Sequence, residues 1–202
     1  MRTKRSNSIV ISSIVFALLM TLASPALVSA ASNTASTTIS ATVAPVISIS
    51  TGSTVSISLT PTPGGVVSSA SDTVTVSTNN TAGYTLTLAD SDATTTLVSG
   101  GNSIGAHAGT QAVPTALAAN KWGYRVVNIG GFGASAYSAE TNAGSSTSTW
   151  AGIPATGSAN TIKTTAATAS GDTTTVWYGA KVDSTQPSGT YSDAVTYTAT
   201  TN

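Results

Sequence analysis

The feature that most constrains this chain is a period-two alternation of apolar residues with Ser and Thr. Val55, Ile57 and Leu59 alternate in TVSISLT, Val74 and Val76 in DTVTVST, and Tyr84, Leu86 and Leu88 in GYTLTL. TTTVWYGAKV and TYSDAVTYTAT add two strands near the C-terminus. Successive strand side chains point to opposite faces, so this pattern writes one buried and one wet face, and β-branched Thr favours the extended backbone. ISATVAPVISIS (39–50) reads as two short strands divided at Pro45, which has no N–H for a ladder. The turn-forming clusters PTPGG (61–65), STNNTAG (77–83) and QPSG (186–189) separate the runs, and QPSG carries Pro and Gly at the second and fourth positions of a type I turn. Only AVPTALAAN (112–120) invites helix, for one or two turns. The pattern predicts an all-β chain: an antiparallel β-sandwich of Ig-like or Greek-key type with about seven to nine strands, a closed barrel being the competing architecture.

The N-terminus obeys different rules. Arg2, Lys4 and Arg5 precede the apolar run IVISSIVFALLMTLA (9–23), and LVSAAS offers small residues for cleavage after Ala30. That layout predicts a signal peptide over 1–30, too short in its apolar part for a comfortable membrane span. Residues 31–202 then form a single domain with long Gly-, Ser-, Ala- and Thr-rich loops near 99–120 and 129–160. The expected location is secreted or at the cell surface, with no membrane span after cleavage.

Composition excludes several functions. Three of the seven basic residues lie in the signal, leaving four against seven acidic ones and a net charge of −3. Nucleic-acid binding needs clustered Lys and Arg and is not expected. There is no cysteine and one histidine, which excludes thiol nucleophiles, thiolate metal sites and multi-histidine metal sites. His107 sits in a Gly-rich loop without an acidic residue beside it, Glu140 is the only Glu, and the aspartates fall next to turns or strand ends. Neither a triad nor a glycosidase pair can be assembled from these, so no enzyme and no cofactor are expected. Asp90 and Asp92, two apart in ADSDATTT, could point two oxygens at a hard cation such as calcium, but the loop lacks the Gly and distal Glu of an EF-hand, an acidic hairpin loop is the preferred reading, and no metal site is assigned.

NKWGYRVVN (120–128) is the densest chemical stretch. On a strand, Trp122, Tyr124 and Val126 share one face while Lys121, Gly123, Arg125 and Val127 share the other. This predicts an aromatic inner row and a cationic wet row. In TVWYGAKV the same rule places Val176, Tyr178, Ala180 and Val182 in the core, with Trp177 opposite them beside Gly179 and Lys181. Trp177, and Trp150 in the loop-like STSTWAGIP, are therefore the candidate ligand-binding residues, through exposed rings. Trp177 lying across a neighbouring strand's glycine is the structural alternative.

QPSGTYSDAVTYTAT resembles the closing strand of spore-coat-U-like and fimbrial-subunit domains, and with NTAGYTLTL it also resembles the WxL-type cell-wall domains. Those resemblances imply a secreted β-sandwich that coats, decorates or polymerises on a cell surface. No Trp-x-Leu occurs and the cysteines usual in coat-U and fimbrial domains are missing, so no site is carried over. The expected function is an exported, non-catalytic structural or adhesion protein, coat-like or pilin-like. The alternative is a carbohydrate- or cell-wall-binding module using exposed aromatics. Partners are then further copies of the chain, or cell-wall or host glycans. TTISATVAPVISIS, with Ile39, Ala41 and Val43 alternating, is either a donor strand for a neighbour's sheet or the first strand of its own domain.

Overall fold

The computed structural model describes residues 30–202. The predicted signal peptide, apart from Ala30, lies outside the described residues. The described residues divide between two units, which separate between Thr42 and Val43. In the first, residues 30–42 are exposed and form no regular element.

The second unit is all-β. Its strands are β1 (Ile47–Ser50), β2 (Val66–Thr78), β3 (Tyr84–Asp90), β4 (Thr96–Ser99), β5 (Asn102–Ala106), β6 (Lys121–Arg125), β7 (Asn160–Thr164), β8 (Ala169–Val182) and β9 (Val195–Thr201). Six form one sheet in the order β1-β2-β8-β6-β5-β4, which curls into a half-barrel, and three form a second sheet in the order β7-β3-β9. Every pair is antiparallel except β5 with β6. The longest ladder joins β2 to β8, from Val66 opposite Val182 to Thr78 opposite Ala169.

The alternation places its apolar residues as expected. Val74 and Val76 of β2, Tyr84, Leu86 and Leu88 of β3, and Val176 of β8 are all 0% exposed and share one core drawn from both sheets. Polar bridges cross that core between the sheets. The Tyr84 hydroxyl on β3 donates to Asp172 on β8 at 2.8 Å, Lys163 on β7 meets the other oxygen of Asp172 at 2.6 Å, and the hydroxyls of Tyr178 on β8 and Tyr197 on β9 are 2.6 Å apart.

Four local expectations are corrected. AVPTALAAN forms no helix, and no helix occurs among the described residues. Its backbone is used in tertiary bonds instead, Thr115 exchanging both hydrogen bonds with Trp150. TVSISLT keeps its alternation, with Val55, Ile57 and Leu59 half-buried against the core, but joins no ladder. Alternation selects a face; a ladder also requires an open strand edge about 4.8 Å away. The hydrogen-bonded turn near QPSG runs from Asp183 to Gln186, three residues earlier, because the Asp183 carboxylate accepts the Thr185 N–H and so supplies the turn chemistry itself. Of the two strands read on either side of Pro45 only the second forms, as β1 from Ile47, and the residues before Pro45 join no ladder.

Burial opposes ionisation of Asp172, but Lys163 and the Tyr84 hydroxyl outweigh it and hold the carboxyl below its usual range. A carboxyl depressed in the folded state stabilises the fold above its unfolded pKa, and that contribution is lost as pH falls through the folded value. Urea midpoints should therefore drop on acidification below about pH 4, and Asp172→Asn should flatten this drop. At neutral pH the substitution should cost about 1 kcal/mol or less, since the pair is partly solvated. An unchanged acid limb in the variant would show that the bridge contributes nothing.

Candidate functional site

The two predicted ligand-binding tryptophans meet on the outer face of the six-stranded sheet. There β6, β8 and β2 present rows in register: Gly123, Gly179 and Ser69 in one, Arg125, Trp177 and Ser71 in the next. The paired glycines leave a trough: the Trp150 indole lies over Gly179 and the Ala151 carbonyl over Gly123. A Cβ on Gly179 would come within 2.5 Å of the indole ring. Neighbouring backbone seals the trough, Ala151 exchanging both hydrogen bonds with Tyr124 and Ala143 with Val67.

Trp150 is consequently 0% exposed, not an exposed loop aromatic. The reason is packing: a large ring over the side-chain-free Gly179 excludes more water there than on the loop surface. Trp177 is half-buried. Tyr137 stands edge-on to both rings, 5.5 Å from Trp150 and 4.9 Å from Trp177 between centroids. Thus Trp150, not Trp177, is the ring that covers a neighbouring glycine.

The supposed wet cationic row is also covered. Arg125 is 6% exposed, with its guanidinium 4.4 Å from the centre of the Tyr137 ring. The Tyr137 hydroxyl donates to Glu140 at 2.8 Å and bonds Ser69 at 2.7 Å, while Ser146 also donates to Glu140. Burial lowers the Arg125 pKa, and the nearby Tyr137 and Glu140 oppose this. Sequence reasoning missed Tyr137 and Glu140, since both sit in a stretch read as loop. Their spacing of three is too weak a signal to find them.

On the inner face, Trp122 and Tyr124 are buried as predicted. The Tyr124 hydroxyl donates to Gln111 at 2.7 Å and accepts from Asn160 at 2.8 Å, and burial pushes its pKa up to about 12. Gln111 and Asn160 also line a cleft of 540 Å³ with His107, Gly109, Gly130, Gly152 and Pro154. The His107 ring bonds the Thr115 hydroxyl at 2.8 Å. Burial lowers its pKa, with the Thr115 contact raising it and the Lys121 charge lowering it further, so the imidazole is neutral at pH 7.

Comparison with protein-family models, curated proteins and solved structures finds no match for this chain. The arrangement itself is a covered sheet face: Glu140 is hydrogen-bonded to Tyr137 and Ser146, while the buried Arg125 Nε and Trp150 Nε1 have no hydrogen-bond partner.

Trp150→Ala should destabilise the domain by about 3–5 kcal/mol, the usual cost of emptying a buried aromatic site. Trp177→Ala should cost roughly half as much, in proportion to its burial. Gly179→Ala should lower Tm by several degrees through overpacking of about 1–3 kcal/mol, whereas Gly144→Ala, with open space around it, should leave Tm unchanged. Thermal melts of the four variants check this ranking.

Proposed function

We propose that this protein is an exported, non-catalytic structural or adhesion subunit of the cell surface, its two sheets facing each other as a β-sandwich, and that it assembles through its N-terminal segment. The observation that carries this reading is the exposure of Ile39 and Val43, at 91% and 81%. With Ala41 between them they align on one face of an extended chain. Apolar side chains left bare in this way favour burial against another surface, and an extended segment buries them best by adding a strand to a neighbour's sheet. The sparse charge and hydroxyl-rich strand faces fit a coat-like subunit. So do the resemblances to coat-U, fimbrial and WxL-type domains.

Light scattering over a wide concentration range tests this reading. The protein should form larger species as concentration rises, and the double variant Ile39→Asp/Val43→Asp should remain monomeric with an unchanged Tm. A wild-type protein that stays monomeric throughout excludes the assembling form. The same preparation should begin at Ala31 on N-terminal sequencing if the signal peptide is removed.

A sugar-binding reading now rests on Trp177, whose half-exposed ring stands beside Tyr137. On that reading, Trp177→Ala abolishes retention on cell-wall glycans while the fold persists.

A further inference from the structure

Asp90 closes β3 and pairs with Val195, the first residue of β9. Asp193 therefore arrives beside it from the connection that precedes β9. Asp92 follows two residues after Asp90, and carboxylate oxygens of all three lie within 4.8 Å of one another.

The backbone holds this grouping in place. The Asp90 N–H donates to Pro154 at 2.8 Å and the Ser91 N–H to Ala194 at 3.0 Å. Asp90 Oδ1 accepts the Asp92 N–H at 2.9 Å, and Asp92 Oδ1 accepts the Thr94 N–H at 2.7 Å. These bonds use one oxygen of each residue. Asp90 is 1% exposed, and its Oδ2 is buried without a hydrogen-bond partner; Asp193 Oδ2 is in the same condition.

Such a cluster needs a positive partner. A buried carboxylate oxygen without a donor bears its full desolvation penalty, and converging like charges add repulsion. The charges acting on Asp193 are those of Asp90 and Asp92, both negative. Burial and these neighbours raise the Asp193 carboxyl to about 6.

We propose that Asp90, Asp92 and Asp193 bind one calcium ion that ties the end of β3 to the connection before β9. The two orphaned oxygens and the exposed Asp92 carboxylate supply hard oxygen ligands. Water completes the six to eight that calcium accepts in flexible geometry, whereas magnesium demands a stricter octahedron. Zinc would favour imidazole or thiolate, and neither is in the cluster.

The test is thermal melting of the protein in EDTA and in calcium, with calorimetric titration of calcium chloride as a second readout. At a calcium concentration about a hundred times Kd, Tm at pH 7 should rise by about 5–10 °C. Asp193→Asn and Asp92→Asn should each remove most of that rise, and Asp193→Asn should melt above wild type in EDTA because repulsion is relieved. The pH trends should oppose each other. In EDTA, the folded state keeps a proton that the unfolded chain releases between about pH 4 and 6, so stability falls as pH rises through that window. The calcium-dependent gain should instead grow from pH 5 to 7, as the competing proton leaves. Equal Tm in EDTA and millimolar calcium without heat of binding would overturn the proposal. So would a full calcium response in Asp193→Asn, or an equal response to magnesium.

Discussion

The outer face of this protein depends on one contact, the Trp150 indole laid over Gly179. Without a side chain there, the β8 backbone accepts a large ring at van der Waals distance, and Gly123 beside it on β6 accepts the Ala151 carbonyl. The ring then anchors what surrounds it. Thr115 pairs with Trp150, Ala151 with Tyr124, and Tyr137 stands against the indole with Arg125 on its own face. A long Gly-, Ser- and Ala-rich stretch thereby becomes a fixed cover.

The β2–β8 ladder is in consequence buried on two sides. Its inner residues meet the second sheet in a common core, and the start of its outer face meets the Trp150 cover. Polar groups cross the inner interface at set points, Tyr84 to Asp172 and Tyr178 to Tyr197, and each bridge specifies how the sheets align as well as holding them. Burial without partners is confined to a few groups. Two of them, Arg125 Nε and Trp150 Nε1, lie in the outer aromatic cluster, and two belong to the Asp90–Asp193 pair at the strand ends. The aromatic clusters form the body of the domain, while three carboxylates converge at the strand ends.

Much of the inner core was legible. Val74, Val76, Tyr84, Leu86, Leu88, Trp122, Tyr124, Val176 and Tyr178 all occupy the face their alternation predicts. The outer face was not, because alternation says which residues oppose the core but not whether something else covers them. Arg125 and Trp177 were read as wet for that reason. Trp150 was read as exposed because its neighbours are Ser, Thr, Ala and Gly, and nothing local indicates a trough on strands far along the chain. Asp90 and Asp92 were visible as a pair two residues apart. Asp193 joins them only through the pairing of β3 with β9.

By itself, the sequence determined that this protein is built of strands and which side of most of them is apolar, since a period of two is a property of the extended backbone at each residue. Tertiary structure decided which strands share a sheet, why TVSISLT has a buried side but no ladder, which loops become a second dry layer, and where three carboxylates converge. Those outcomes depend on edges, glycine gaps and through-space pairing between residues far apart in the chain, and no local pattern records them.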